Sequence, residues 1–255
     1  RTALPKVDTK FFLTMAAGNQ FLEILKSQTS LSTILKKLKQ LGVLRLLIPE
    51  FGDIEGQMQF DMFHVYTVDE HTLKVVRNMR QMQIGKMDES MRIEQELINK
   101  LPKIELLYLA GIFHDLGKGK GGDHSEIGVR IVAKFCKRLS FSLHDTELLK
   151  WLVQNHLVMS SISQKTDIHD PETIQQFTKI VDNLEKLNYI YILTVNDIRG
   201  TNPTLWNSWK HDLLKELFLS SRKKLNREEH DSAISIITER KKRALEHLED
   251  FNTLN

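Results

Sequence analysis

Apolar residues recur along this chain mostly at helical spacing, not with the strict alternation of a half-buried strand. Leu31, Ile34, Leu35, Leu38 and Leu41 form one stripe that stops at Gly42, and Phe21, Leu22 and Leu25 mark a shorter helix before it. Val43 to Ile48 is a brief apolar piece closed by Pro49. Thr67-Val68-Asp69-Glu70 has the capping-box pattern and predicts a helix with His71, Val75, Met79 and Met82 on one face. Ile93 to Leu101 is a further helical piece. Asp123 to Glu126 signals another start, with Ile127, Ile131, Phe135 and Leu139 turned inward. Thr146 to Val158 places Leu149, Leu152, Val153 and His156 on a common face. Asp170-Pro171 opens a helix expected to carry Ile174, Phe177, Val181 and Leu184. Tyr189 to Val195 is strand-like by propensity. No second clear strand exists to pair with it, so it reads as a buried helix. Trp206 and Trp209 follow as core or interface anchors, then an amphipathic stretch through Phe218 and a charged helix from Arg227 onward. The expected fold class is all-α.

One stretch organises the rest. Glu105 to Phe113 is almost wholly apolar and predicts a helix buried on most of its faces. It ends abruptly in His114-Asp115, followed by Leu116, Gly117 and Lys118. An imidazole and an adjacent carboxylate are common ligands for a divalent metal, and the end of a buried helix keeps them fixed and poorly solvated. Gly117 is expected to adopt the left-handed conformation that stops a helix. The Gly-Lys-Gly-Lys-Gly-Gly run over 117–122 gives a cationic loop beside them, suited to an anionic substrate. Alone, His114 and Lys118 would read equally well as cations complementing a helix C-terminus.

Composition narrows the alternatives. With 255 residues and 41% hydrophobic content the chain can bury a sizeable core. A net charge of +3 is too small for a nucleic-acid-binding surplus. No apolar run approaches the ~20 residues needed to span a bilayer. The single cysteine, Cys136, excludes a disulfide framework and fits a reducing cytoplasm. The chain starts at Arg1 without an initiator Met, so a fragment of a longer protein is expected.

Four segments offer metal-ligand types on buried or loop-adjacent positions: His71, His114-Asp115, His156, and Asp197 after the apolar Tyr189–Val195 run. An isolated Asp after such a run is costly to bury unless paired or bound to a metal. His124, just after the Gly/Lys loop, is a fifth candidate segment. This order, His then His-Asp then a distant Asp on an all-helical chain, resembles the HD-domain superfamily of metal-dependent phosphohydrolases over about Phe51 to Arg199. His124 and His156 resemble the extra ligands of members holding two metals.

A closer resemblance rests on Gly56-Gln57-Met58-Gln59, Phe63 to Thr72, Gly121-Gly122-Asp123-His124-Ser125 and Asn196 to Pro203. These are similar to the central domain of the bifunctional PII uridylyltransferase/uridylyl-removing family. The resemblance implies an HD helical bundle over 51–200, with a helical lead-in over 1–50 and a C-terminal helical extension or linker over 201–255. It implies hydrolysis of the phosphodiester between UMP and a tyrosine of the PII signalling protein. Two divalent ions, Mn or Mg before Fe or Zn, would be held by His71, His114, Asp115, His124, His156 and Asp197, with Asp115 shared.

Lys118 would contact phosphate oxygens or assist the leaving group. Arg199 is a second phosphate candidate or a lock on Asp197, and His64 would lie near the pocket. His124 and His156 could instead bind substrate. His144, His169, His211, His230 and His247 sit among polar neighbours and are expected at the surface. In that family a nucleotidyltransferase domain and glutamine-sensing ACT domains flank the HD domain; this chain shows no nucleotidyltransferase motif and is expected to leave no room for ACT domains. Two other functions stay open: hydrolysis of a free nucleotide or cyclic dinucleotide, and a non-catalytic HD scaffold. The intact ligand set argues against the scaffold.

Overall fold

A computed structural model describes residues 8–27, 30–58, 65–87, 89–118, 120–202 and 204–253. Twelve α-helices run in order among them: α1 (Met15–Lys26), α2 (Leu31–Gln40), α3 (Val43–Leu47), α4 (Val68–Gln83), α5 (Arg92–Ile98), α6 (Ile104–Phe113), α7 (His124–Arg138), α8 (Leu143–Asn155), α9 (Val158–Lys165), α10 (Pro171–Val181), α11 (Leu184–Thr201) and α12 (Ser208–Thr253). Short 3-10 turns cover Thr9–Leu13, Pro49–Ile54 and Glu89–Met91. The described residues contain no strand; one isolated antiparallel bridge joins Met58 and Thr67. The all-α expectation holds. No helix among the described residues is long and apolar enough to cross a membrane.

Two helices lie at the centre because they are apolar all round. Every residue of α6 from Leu106 to Phe113 is buried, with α1, α4, α7, α8 and α11 packed around it. At about 1.5–3 kcal/mol per buried large apolar side chain, this helix is among the main contributors to stability. The strand-like run Tyr189–Val195 is buried within α11, which α4, α5, α6, α8, α9, α10 and α12 surround. Tertiary packing overrides its β propensity, and its two tyrosine hydroxyls find partners. The Tyr189 hydroxyl accepts from Lys103 N at 3.1 Å and donates to Lys103 O at 3.0 Å, tying α11 to the start of α6. Buried residues of α1–α3, including Phe21, Leu25, Leu35 and Leu44, join the same apolar core.

Several boundaries differ from the sequence expectation. Thr67 is the N-cap of α4 but makes no capping bond, and Glu70 turns to Lys39 instead of closing a box. The Lys39 ammonium also pairs with buried Asp69 at 2.5 Å. Asp123 and Asp170 do cap, accepting from Ser125 N at 2.8 Å and Glu172 N at 2.9 Å. Leu184 does not continue α10: Asp182 takes a left-handed φ of 61°, and Asn183 caps α11 through Lys186 N at 2.9 Å. Trp206 is half-buried, but Trp209 is 60% exposed and is no core anchor.

His211 is the clearest departure among the histidines: it is buried, not on the surface. Its Nε2 stands 2.9 Å from Oε1 of Glu94, which is itself fully buried and also accepts from the Tyr191 hydroxyl. A carboxylate only accepts, so His211 Nε2 carries the proton. Burial would raise the Glu94 pKa, but the donors from His211 and Tyr191 outweigh it and hold the carboxyl below its ordinary value. Its contribution to stability is therefore present above the unfolded value of about 4.3 and is lost as pH falls through the folded one. Glu94→Ala would strand both donors and should cost about 3–5 kcal/mol in a denaturant titration. A change under about 1 kcal/mol would show that the α5–α11–α12 junction does not depend on this pair.

Candidate metal centre

The apolar burial of α6 fixes where its last turn can point. His114 is its C-cap, its backbone N–H bonded to Ala110 O at 2.9 Å, and Asp115 follows at once. His71 comes from the first turn of α4, His156 from the C-cap of α8, Asp197 from α11, and His124 opens α7. Close backbone approach brings α11 onto α4. A Cβ at Gly200 would stand 2.8 Å from Val75 Cγ2 and 3.5 Å from His71 Cε1, so only glycine fits there without displacement.

The five elements deliver their polar atoms to one place. His71 Nε2 lies 3.1 Å from His114 Nε2, 3.0 Å from Asp197 Oδ1 and 3.6 Å from Asp115 Oδ2. His114 Nε2 lies 3.3 Å from Asp115 Oδ2 and 3.6 Å from Asp197 Oδ1. On the other side His156 Nε2 is 3.8 Å from Asp115 Oδ1, and the His124 and His156 rings meet edge to face at 5.4 Å. The potential ligand atoms therefore form two groups, His71–His114–Asp115 and Asp115–His124–His156, and Asp115 belongs to both.

Tautomers point the same way. His114 Nδ1 is 2.9 Å from Gly111 O and His156 Nδ1 is 2.7 Å from Val153 O. A carbonyl accepts only, so each Nδ1 bears hydrogen and each Nε2 of the neutral ring offers its lone pair to the cluster. Asp115 Oδ1, His124 Nε2 and His156 Nε2 are buried without a hydrogen-bond partner among the described residues. Unpartnered buried acceptors are expensive, and a cation in their midst satisfies all three. The donor set fits a divalent metal of the kind that takes imidazole and carboxylate together.

Among the protein's own groups, two carboxylates at this depth demand positive charge. Burial alone would lower the His114 pKa, but Asp115 and Asp197 outweigh it and raise it to about 10. Burial would raise both acids, yet His114 and Lys118 carry Asp115 well below its ordinary range, and His114 with His71 does the same for Asp197. Burial and the neighbouring His114 push His156 down to about 4, keeping it neutral. The Lys118 ammonium rests 2.7 Å from Asp115 Oδ2.

A cavity of about 420 Å³ opens on the cluster. Asp115, Lys118, His124, His156 and Asp197 line it, with an apolar wall of Leu157, Ile198 and Leu205. Six expected ligands thus converge. Arg199 is half-buried with its guanidinium 5.9 Å from the Trp206 ring, and it does not line the cavity. His64 lies outside the described residues. Gly117 is not left-handed; its role is to let the loop pass against the backbone of His124. Sequence reasoning did not find Lys210, which also lines the cavity and carries no local signal.

Residues 68–187 match the HD domain family. Over 221 residues, 87% of the chain, the sequence is 45% identical to a bifunctional uridylyltransferase/uridylyl-removing enzyme of Pseudomonas fluorescens (strain SBW25). It is 43% identical over the same share to that of Pseudomonas aeruginosa (strain LESB58), and 46% identical over 81% of the chain to that of Azotobacter vinelandii. The chain spans about a quarter of the length of these relatives, 25% or 23%.

Proposed function

Because the chain carries an HD domain, we propose that it is a metal-dependent phosphodiesterase that releases UMP from a uridylylated tyrosine of a PII protein. The observation that carries the hydrolytic reading is the sharing of Asp115: its Oδ2 faces His71 and His114, while its Oδ1 faces His156. One carboxylate that divides its oxygens between two imidazole groups is suited to bridge two cations. The substrate reading rests on the likeness to the uridylyl-removing enzymes.

His71, His114, Asp115 and Asp197 would hold one divalent ion, and Asp115, His124 and His156 the second. Mn2+ or Mg2+ is favoured, with Fe or Zn as alternatives. When bound, such ions supply Lewis-acid charge to the phosphoryl group and acidify a water towards neutrality. The protein does the positioning. Nδ1–H bonds to Gly111 O and Val153 O fix the rings of His114 and His156, and Leu157, Ile198 and Leu205 form one apolar wall. Lys118 keeps Asp115 ionised and stands at the cavity edge, where it can donate a proton to the departing phenolate.

The remaining expectations belong to the same reading: a lead-in over 1–50, the hydrolase domain over 51–200 and an extension over 201–255. Nucleotidyltransferase and ACT domains would lie elsewhere in a longer cytoplasmic protein.

Metal analysis combined with UMP release from uridylylated PII tests the function. Two ions per chain and release of UMP are expected. Hydrolysis of free nucleotides or cyclic dinucleotides with no release from PII would overturn the substrate, and a protein without bound metal or activity would overturn the enzyme. Lys118→Ala should retain the metals but lower turnover about 10²-fold, as expected for one charged contact to a transition state. Unchanged kcat with unchanged metal content would assign Lys118 to the loop surface.

A further inference from the structure

The cavity is lined by two lysines, and they are not equivalent. The Lys118 ammonium is engaged by Asp115 at 2.7 Å. Lys210 is half-buried, and its ammonium has no acidic partner among the described residues. A lysine in the wall of the cavity with no acidic partner is a cation open to an anionic ligand.

Its place is built. Lys210 sits in the first turn of α12, where its backbone N–H donates to the Asn207 side chain at 2.9 Å. The next residue, His211, is anchored in the core by Glu94 at 2.9 Å, and the Trp206 ring packs 5.5 Å from the His211 ring. Glu94 is held in turn by the Tyr191 hydroxyl from α11. The backbone of Lys210 is therefore fixed on both sides, by the cap and by the buried hydrogen bond from His211 to Glu94.

We propose that Lys210 is a substrate-binding residue that contacts the anionic phosphoryl group of the ester in the cavity. The assignment rests on the phosphodiesterase reading above. In it Lys118 holds Asp115 and serves the leaving group, and Lys210 supplies a second positive charge, one with no acidic partner among the described residues, to the phosphoryl group. The buried Glu94–His211 pair positions it.

The test compares Lys210→Ala and Lys210→Arg with the parent, all loaded with Mn2+. Four quantities are read: binding of UMP and of inorganic phosphate by calorimetry, KM and kcat for uridylylated PII, metal content, and melting temperature. Lys210→Ala should weaken UMP binding and raise KM about 10- to 100-fold, the range for one hydrogen bond to a charged group. Metal content and melting temperature should stay at the parent's values, and Lys210→Arg should recover most of the loss. Equal UMP affinity and equal KM in parent and Lys210→Ala would overturn the role of Lys210 while leaving the phosphodiesterase intact. Failure of Lys210→Arg to recover any affinity would overturn the charge-contact assignment. A parent that neither binds UMP nor releases it would overturn the enzymatic reading, and Lys210 with it.

Discussion

Asp115→Asn is expected to give a folded protein that retains at most one divalent ion and releases no UMP. The carboxylate has no substitute in the site. Its Oδ2 lies 3.6 Å from His71 Nε2 and 3.3 Å from His114 Nε2, and its Oδ1 lies 3.8 Å from His156 Nε2. An amide keeps the shape but removes the charge that lets two cations sit close together, and their mutual repulsion across a neutral bridge expels one. Residues read as isolated ligands would suggest that deleting a buried, uncompensated acid is neutral or stabilising. The structure reverses that expectation. The Lys118 ammonium stands 2.7 Å from Asp115, and His114 and His71 lie beside it, so the carboxylate is compensated and its pKa lies well below the ordinary range. Such a group contributes stability above its unfolded pKa of about 3.9. The metal-free variant should therefore melt lower than the metal-free parent at neutral pH, and the difference should shrink as pH falls. Metal content, UMP release and melting curves for both proteins check this. A variant with both ions and near-parent turnover would remove the bridging role.

How far the sequence discloses this site depends on what kind of signal each residue leaves. His114, Asp115 and Asp197 stand at or near the ends of strongly apolar runs, where a ligand-type residue is conspicuous because burial there demands a partner. His71 and His156 lie on helix faces otherwise filled by Val75, Met79, Leu149 and Leu152, so their inward direction follows from periodicity. Glu94 and His211 leave no such trace. Each sits among polar neighbours, and each is buried only because the other arrives from 117 positions away. The break between α10 and α11 was present but muted. Asp182 and Asn183 form it without Gly or Pro, and Asp and Asn are the next residue types to tolerate a left-handed turn. Lys210 is legible only once α12 is folded onto the cavity. Gly117 is a different failure: its position after a helix suggested a conformational role, whereas the need is steric.

That steric need makes Gly117→Ala the second substitution with a large expected effect. A Cβ at position 117 would stand 2.0 Å from His124 O, 2.8 Å from His124 C and 3.0 Å from His124 Cα. All three are backbone atoms, so no side chain can swing aside, and either the loop after α6 or the start of α7 must move. The body of α7 is held against α8, where a Cβ at Gly128 would already come within 2.7 Å of Val153 Cγ1. The displacement is thus forced on the segment that carries Asp115 and Lys118 on one side and His124 on the other. The group Asp115–His124–His156 loses its geometry, while His71, His114 and Asp197, which come from α4, α6 and α11, are less disturbed. Gly117→Ala should then bind one ion in place of two and lose UMP release by at least about 10²-fold, a loss that misplacement of about 1 Å can produce. It should also lose about 1–3 kcal/mol of stability through overpacking. Lys120→Ala is the control: this exposed residue of the same loop pairs with Asp53 at 2.7 Å, outside the cavity, and its loss should change none of the three quantities. Metal stoichiometry is the deciding measurement. Two ions and parent-like turnover in Gly117→Ala would mean that the contact between the loop and His124 does not organise the second half of the site.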